Sequence, residues 1–236
     1  ELKQFIKFQY KLYKGNPYFV PPLYRDELET FSRDKNPAFS LSDAELFLAR
    51  RDGKVVGRIV VIQNNPENQK YNIKNVRFGW FECVEDYKVA YKLFETAEKW
   101  GKERGMETIT GPHGFCDLDP QGLLIEGFDR LATIAGYYHH PYYRDFVEVY
   151  GFQKEVDFVE FWSTTPTKEE VPQKLLDVAE WIKKKYDFRL LNYKSTKEYK
   201  KRGRELFALL EESFSENFGT VPLSEQQVDY YIKKYI

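Results

Sequence analysis

The sequence is poor in sulfur and histidine: its 236 residues include two cysteines, one methionine and three histidines. Secreted domains of this size usually carry more cysteines, so Cys83 and Cys116 predict reduced thiols and a cytoplasmic location. Neither cysteine belongs to a CxxC pair, which argues against a structural metal site. Asp117, Asp119 and Glu126 lack the spacing of a calcium-binding loop, so we expect no bound metal ion.

The sequence also lacks an excess of charge and any long apolar run. It has 36 Lys and Arg against 37 Asp and Glu, for a formal net charge of -1. A balanced chain has no overall field that would attract nucleic acid or anionic lipid, so we expect neither nucleic acid nor a membrane as a partner. The longest apolar stretches, such as residues 59–62, are too short to span a bilayer, and no signal peptide is expected.

Aromatic residues are abundant instead, with 18 tyrosines and 19 phenylalanines, which predicts an aromatic-rich core. Four tyrosines surround the adjacent histidines His139 and His140: Tyr137, Tyr138, Tyr142 and Tyr143. A cluster of this kind is more often part of a core than of a ligand pocket. P-loop, GxGxxG and GxSxG motifs are absent, so the commonest nucleotide-binding and serine hydrolase signals are missing.

The clearest local signal is a β-hairpin over residues 46–62. Asp52-Gly53 separates two runs rich in β-branched and large apolar residues, and this dipeptide favours a tight hairpin turn. A third strand over 76–84 follows. The next segment, 86–104, has an apolar stripe with helical spacing, which predicts a central helix.

The other predicted elements, in chain order, are helices over 3–14 and 23–31, a polar loop over 64–74, a strand over 107–110, extended segments over 123–125 and 132–135, a helix over 140–151, strands over 152–156 and 158–162, a helix from the capping box Thr167-x-x-Glu170 to Lys185, a strand over 188–193, and helices over 197–214 and 224–235. Strands alternate with helices in the middle of this order and pair as hairpins at its edges. It predicts an α/β (α+β) fold, a three-layer α/β/α sandwich on a mixed, mostly antiparallel sheet.

Three local sequences in this order resemble the GNAT (N-acetyltransferase) superfamily. Residues 46–62 look like two paired strands of that fold, and residues 88–109 are similar to its central helix and following strand. Residues 140–152 (HPYYRDFVEVYGF) resemble its fourth-helix motif. Four short stretches also look like a poorly characterised bacterial branch of the superfamily: VPPL at 20–23, GRIVV at 57–61, GLLIEGFD at 122–129 and PYYRDF at 141–146.

The resemblance implies an N-acyltransferase that moves an acetyl or larger acyl group from acyl-CoA to an amine on a small molecule or peptide. It implies that acetyl-CoA or another acyl-CoA lies against the start of the central helix, with these contacts: Val84, Tyr87, Lys88, Val89, Ala90 and Lys92. The family's phosphate loop reads Gln/Arg-x-x-Gly-x-Gly/Ala, and this sequence has Glu85, Lys88 and Ala90 there. Carboxylates at Glu82, Glu85 and Asp86 suit a bare helix N-terminus but repel a diphosphate.

Three residues are candidates for proton transfer in such a reaction. Glu82, at the end of a strand, can act as a base if burial raises its pKa, whereas a solvated glutamate near a helix start has no such role. His113 follows the next strand in a glycine-rich loop, where an exposed loop histidine is the alternative. The tyrosine that the fourth-helix motif places seven residues after its asparagine is Val147 here, and the asparagine itself is His140. Tyr143, one helical turn before that position, is the remaining tyrosine candidate.

Two further candidates have simpler structural explanations. His140 fits a helix cap as well as a catalytic role. Cys116 lies near His113 in the same loop, but a cysteine without a positioned base is a weak candidate for a nucleophile.

Residues 1–23 and 202–223 resemble each other, which suggests a duplicated unit. The paired positions are Phe5 with Leu206, Ile6 with Phe207, Tyr13 with Phe214, Asn16 with Asn217, and Val20-Pro21 with Val221-Pro222. A chance match of two helix–loop signals is the alternative. We predict a GNAT-like domain over 1–162, a linker helix over 163–187, and the start of a second GNAT-like unit over 188–236.

Two other functions fit the same resemblance. One is a GNAT-fold binding or scaffolding module without CoA chemistry, which the altered phosphate loop favours. The other is a tandem-GNAT aminoacyltransferase that takes its donor from charged tRNA, which the internal repeat favours and the neutral charge does not. The oligomeric state is not predicted.

Overall fold

The structure, a computed structural model, describes residues 1–133 and 136–236. The described residues form the following elements: α1 (Leu2–Leu12), α2 (Tyr24–Thr30), a 3-10 helix (Pro37–Ser40), β1 (Ser42–Arg51), β2 (Lys54–Asn64), α3 (Asn65–Tyr71), β3 (Asn75–Cys83), α4 (Tyr87–Lys102), β4 (Thr108–Thr110), α5 (Tyr142–Tyr150), α6 (Gln173–Tyr186), α7 (Thr196–Lys201), α8 (Gly203–Phe214) and α9 (Glu225–Tyr235). None of the described helices combines the length and apolarity needed to cross a bilayer.

The described strands form one mixed sheet in the order β1-β2-β3-β4. The β1–β2 hairpin turns at Asp52 and Gly53, which have φ angles of 49° and 73°. These positive angles belong to the turn that an Asp-Gly pair favours, so the predicted hairpin is confirmed. β3 pairs with β2 in antiparallel orientation and with β4 in parallel orientation, but the parallel pairing covers only Asn75–Arg77.

A β-bulge in β3 divides that strand. The pairing with β2 passes from Val60 opposite Gly79 to Arg58 opposite Glu82, so two residues of β3 face a single residue of β2. Trp80, in the bulge, has a φ of 46°, which a bulky residue rarely adopts. Gly79 is required beside it, because a Cβ there would lie 2.4 Å from the carbonyl oxygen of His113.

Helices cover both faces of the sheet because β2 and β3 are apolar on both sides. Ile59 and Val61 pack with α4 and α5, whereas Val60 and Ile62 pack with α1 and the residues around α2. The apolar stripe of α4 is buried as its spacing predicts. The prediction of a mixed α and β fold is therefore confirmed.

The predicted polar loop over 64–74 is wrong, since it contains the short helix α3. The Asn64 side chain accepts a hydrogen bond from the Glu67 amide and caps the helix, and Pro66 lies in its first turn. Asn72, with a φ of 51°, ends it. Polar composition concealed a helix whose start and stop signals were both present.

The strands predicted over 152–156, 158–162 and 188–193, and the extended segment over 123–125, are also not formed as strands. A strand needs a neighbour for its backbone hydrogen bonds, and no described strand pairs with these segments. Of the extended segment predicted over 132–135, residues 134 and 135 lie outside the described residues. The Thr167 amide does donate to the Glu170 carboxylate, but α6 begins only after Pro172. The helix predicted over 197–214 is interrupted at Arg202.

The two similar segments have the same local form. After α1, the Asn16 amide donates to the Tyr13 carbonyl at 3.0 Å; after α8, the Asn217 amide donates to the Phe214 carbonyl at 2.9 Å. A Val-Pro pair and a second helix follow in both segments. Their surroundings differ, because Val20 is 56% exposed and Val221 only 7%. The division into domains stays a prediction.

Candidate functional site

The end of β3 carries a buried carboxylate, Glu82, which is only 6% exposed. It follows the bulge and lies directly opposite Arg58 of β2. The two side chains share one face of the sheet because cross-strand partners point the same way. The alternative of a solvated glutamate is therefore wrong: the strand ends under α1 and α5, and their side chains cover it.

Two tyrosine hydroxyls donate hydrogen bonds to the same oxygen of this carboxylate. Tyr13, just after α1, lies 2.6 Å from Glu82 Oε2, and Tyr143, in the first turn of α5, lies 2.7 Å from it. The Tyr143 hydroxyl also accepts a hydrogen bond from the Cys83 amide at 2.9 Å. The Tyr142 hydroxyl donates to the Cys83 carbonyl at 2.7 Å. The predicted candidates Glu82 and Tyr143 are thus in direct contact.

A second carboxylate makes this region an unusual buried charge cluster. Glu27 of α2 lies 3.8 Å from the Arg58 guanidinium and accepts a hydrogen bond from Gln9 at 3.1 Å. Arg58 thus pairs with Glu27, and its positive charge also acts on Glu82, its cross-strand neighbour. Burial raises the pKa of both Glu82 and Glu27, and the positive charge of Arg58 opposes that rise in each. Such arrangements are costly for stability and occur preferentially at functional sites.

Histidine rings border the cluster. The interpretation of His140 as a helix cap is wrong, because Pro141 is the N-cap of α5 and no side chain caps the helix. The His140 ring instead stacks on Tyr13, with ring centroids 4.6 Å apart and planes 22° from parallel. Burial lowers the pKa of His140, and the negative charge of Glu85 opposes the change. His139 is buried and accepts a hydrogen bond at Nδ1 from the Leu124 amide. Burial lowers its pKa to about 4, so it is neutral at pH 7.

The third predicted candidate, His113, belongs to a different cluster. It is buried rather than exposed, and its backbone amide donates to the Phe78 carbonyl at 2.8 Å. Its ring lies 5.6 Å from the ring of Phe218, in the loop after α8. Burial, followed by the positive charge of Arg77, lowers its pKa to about 4. No described contact joins it to Glu82 or Tyr143, so the structure does not combine the three candidates in one site.

Cys116 is also buried, and its thiol lies 3.0 Å from the hydroxyl of Tyr231 in α9. Burial raises the pKa of this thiol well above its usual range. A thiol that stays protonated is a poor nucleophile. Its surroundings therefore give Cys116 a packing role between the loop and α9.

Stability should fall in acid because of the two buried neutral histidines. A histidine whose folded pKa is lowered contributes stability above its unfolded pKa of about 6.5 and loses it as pH falls towards the folded value of about 4. The lowered pKa of each histidine corresponds to a loss of roughly 3 kcal/mol of unfolding free energy over that pH range. We expect His139→Asn, which keeps an acceptor near the Nδ1 position, to reduce the loss measured by urea unfolding at pH 7 and pH 4.5.

The comparison must be made between the variant and the parent protein, because another group acts in the opposite direction. Burial raises the pKa of Asp119 to about 6, so protonation of this carboxyl stabilises the folded state as pH falls through that value. Asp119 is present in both proteins and its effect cancels. If the unfolding free energy of His139→Asn falls between pH 7 and pH 4.5 by as much as that of the parent protein, His139 titrates normally in the folded state.

The start of α4 is capped by a carboxylate of the chain itself. Asp86 caps the helix by accepting a hydrogen bond from the Lys88 amide at 2.9 Å, and it also pairs with Arg51 at 2.6 Å. The Val89 and Ala90 amides donate to the Asp86 carbonyl. The helix N-terminus, normally an anion-binding feature, is thus occupied by a side-chain carboxylate of the chain itself.

The six predicted cofactor contacts differ in their surroundings, and their role in binding acyl-CoA stays a prediction. Val89 and Ala90 are buried in the core, and the Val84 amide donates to the Val56 carbonyl. Lys92 pairs with Glu95 at 2.6 Å on the exposed face of α4. Lys88 is exposed and Tyr87 packs near Phe146, with ring centroids 5.8 Å apart. These residues fit a capped, packed helix better than a cradle for the diphosphate of CoA.

Sequence reasoning missed three members of the buried cluster: Tyr13, Glu27 and Arg58. Arg58 did leave a signal, since it is a charged residue within an otherwise apolar strand that is buried on both faces. Tyr13 left no signal in the sequence, because a tyrosine at the end of a helix is common. Its contact with Glu82 joins residues 69 positions apart in the chain.

Two curated proteins are similar to this chain over nearly all of its length. Protein YghO of Escherichia coli (strain K12) is 31% identical over 229 residues, which are 96% of this chain and 57% of that protein. The bacterial ceramide synthase of Caulobacter vibrioides (strain NA1000 / CB15N) is 27% identical over 230 residues, which are 96% of this chain and 58% of that protein. The chain thus spans somewhat more than half the length of these relatives. No family model and no solved structure matches it.

Proposed function

We propose that this chain contains the acyl-transfer site of an N-acyltransferase with a GNAT-like fold, acting on a long-chain amine. The buried Glu82 carboxylate, held by Tyr13 and Tyr143, is the observation that carries the proposal. The ceramide synthase relative supports it, since a ceramide is a sphingoid base whose amine has been acylated. That similarity covers 58% of the relative, so the acceptor is part of the proposal.

The reaction forms an amide bond and breaks a thioester bond. The neutral amine attacks the acyl carbonyl, the amine nitrogen gives up one proton, and the thiolate leaves and is protonated. Glu82 is the proposed proton acceptor, because burial raises its pKa and therefore its affinity for a proton. We assign Tyr143 the role of proton relay, since its hydroxyl donates to Glu82 and a phenol oxygen can accept one proton while its own is transferred.

The polar groups around the carboxylate keep this relay in position. The Cys83 amide donates to the Tyr143 oxygen, and the Tyr143 hydroxyl lies closer to Glu82 Oε2, at 2.7 Å, than to the Cys83 carbonyl oxygen, at 3.1 Å. His140 stacks on Tyr13 and borders the same site. Phenol and carboxylate are therefore prepositioned, which lowers the reorganisation needed during proton transfer.

The capped helix α4 leads to a specific expectation about the donor. Hydrogen bonds to a charged group contribute about 1.5–3 kcal/mol each, so a diphosphate site that makes at least two of them would favour acyl-CoA by more than about a hundredfold. Without one, we expect kcat/KM for palmitoyl-CoA and for its N-acetylcysteamine thioester, which lacks the diphosphate, to agree within about tenfold. Sphinganine is the acceptor, and mass spectrometry of the N-acyl product is the measurement.

Each outcome of that assay has a different meaning. Similar rates with the two donors support acyl transfer without diphosphate recognition. A strong preference for palmitoyl-CoA would show that residues other than the start of α4 bind the diphosphate. Absence of product with both donors, from protein with a cooperative unfolding transition, would contradict the proposal.

A binding module without acyl transfer is the second candidate, and one observation favours it. Tyr142 and Tyr143 already satisfy the amide and carbonyl of Cys83 at the end of β3. A substrate that used these backbone groups would have to displace the tyrosines. Product formation would exclude this candidate, and a folded but inactive protein would favour it.

A further inference from the structure

Helix α6 has an apolar face that the described part of the chain leaves uncovered. None of its 14 residues is buried. Leu175, Val178, Ile182 and Tyr186 recur at intervals of three and four residues, so they share one side of the helix. Leu175 is 60% exposed, Val178 42% and Tyr186 56%. An isolated helix of this length needs a partner for such a face to be stable in water.

The charges of α6 are arranged around that face. Helical geometry places Lys183 along one edge of the apolar face and Lys185 along the other. Asp177 and Glu180 lie on the opposite side, and Lys183 pairs with Glu180 at 2.8 Å on the helix surface. The helix carries four lysines against these two acids. Lysines at the rim of an apolar face can place their stems on the apolar side and their ammonium groups among phosphates.

Exposed aromatic and aliphatic residues also flank α6 in the chain, and the Phe188 ring lies 5.7 Å from that of Tyr186. Phe161 is 91% exposed and Trp162 64%, before the helix; Phe188 is 63% and Leu190 84% exposed, after it. Trp181 lies within the helix and is 55% exposed, with Lys185 4.4 Å from its ring centroid. Tryptophan and tyrosine next to lysine are typical of segments that lie at a membrane–water interface.

We propose that α6 lies flat on the surface of an anionic phospholipid bilayer, with its Leu175–Val178–Ile182–Tyr186 face in the interfacial region. The lysine rim favours lipid over a second copy of the chain, because two copies meeting on this face would bring like charges together, whereas lipid phosphates complement them. The inference goes against the expectation that no membrane is a partner, which is based on overall charge. The net charge of the chain is -1, but α6 by itself has more lysines than acidic residues. It is independent of acyl transfer, although a long-chain amine would be presented at the same surface.

Vesicle flotation of the same 236-residue chain tests the proposal without any substrate. We expect the protein to float with vesicles of 30% phosphatidylglycerol and 70% phosphatidylcholine, and far less with phosphatidylcholine alone. Leu175→Glu should weaken the partitioning at least about tenfold, because it puts a charge in the apolar face. Gln173→Glu, the matched control, adds the same charge on the polar side and should change partitioning by less than about twofold.

Two results would overturn the proposal. One is an unmodified chain that does not float, or a Leu175→Glu variant that partitions like the parent protein. The other is a chain that is dimeric by light scattering and becomes monomeric in Leu175→Glu without binding vesicles, which would make a second copy the occupant. Circular dichroism of each variant shows whether the fold is retained. Because no turnover is measured, failure here is distinguishable from failure of the acyl-transfer proposal.

Discussion

Replacing Glu82 with Gln should lower acyl transfer at least about a hundredfold, the usual range for loss of a general base. Gln keeps the size of the side chain and an oxygen that accepts from Tyr13 and Tyr143, so the hydrogen-bonded frame is conserved. Only the ability to take a proton is lost. The measurement is the rate of N-acylsphinganine formation under saturating substrate, as a function of pH.

Glu27→Gln is the matched control for this prediction. It also removes a buried carboxylate beside Arg58, but Glu27 contacts Gln9 and not the two tyrosines. We expect its rate to stay within about threefold of the parent protein. In the parent protein, the rate should fall in acid as Glu82 becomes protonated, with a midpoint above the ordinary glutamate value because burial raises the pKa. Equal losses in both variants would indicate that the cluster acts through structure and not through Glu82 as a base.

Replacing Arg77 with Met should cost about 3–5 kcal/mol of unfolding free energy, the range for breaking a buried ion pair from one side. Arg77 is 1% exposed and makes two hydrogen bonds to the Glu67 carboxylate, at 2.9 and 2.8 Å. It also donates to the carbonyls of Gly114 and Gly219. The variant leaves the Glu67 carboxylate and two carbonyls without this donor. Urea unfolding at pH 7 measures the loss.

Two comparisons make this second prediction specific. Lys74→Met, just before the same strand, removes an exposed pair with Glu107 and should move the urea midpoint far less, since exposed ion pairs are weak. Glu67→Gln combined with Arg77→Met should recover part of the stability lost in the single variant, because it leaves no uncompensated buried charge. If the double variant loses as much unfolding free energy as the two single variants together, the Glu67 and Arg77 side chains do not stabilise each other.

The Arg77 contact also ties the C-terminal helices to the sheet. Gly219 accepts from Arg77 at 2.7 Å, and Lys70 of α3 donates to the carbonyl of Thr220 at 2.9 Å. These contacts hold the loop between α8 and α9 against β3. Arg77→Met should therefore also increase protease cleavage in this loop, which a change confined to α3 and β3 would not produce.

Elements with complete local signals were predictable. The β1–β2 hairpin has Asp52-Gly53 at its turn, and α4 has a cap, an apolar stripe and a stop signal in the sequence. Strands that depend on a distant partner were not predictable, and the apolar runs at 152–162 and 188–193 pair with no strand in the described part of the chain. Periodicity measures which residues avoid water, but it does not say which neighbour will cover them.

The sequence by itself determined the chemistry available: a glutamate at the end of a strand, a tyrosine near the start of a later helix, and carboxylates instead of glycines at the start of α4. Tertiary structure alone decided that Glu82 is buried, that Tyr13 and Tyr143 converge on it, and that His113 joins Arg77 elsewhere. The reason is that pKa and reactivity follow from burial and from neighbours. Those neighbours come from α1, β2 and α5, which are far apart in the chain and meet only when the sheet and its helices pack.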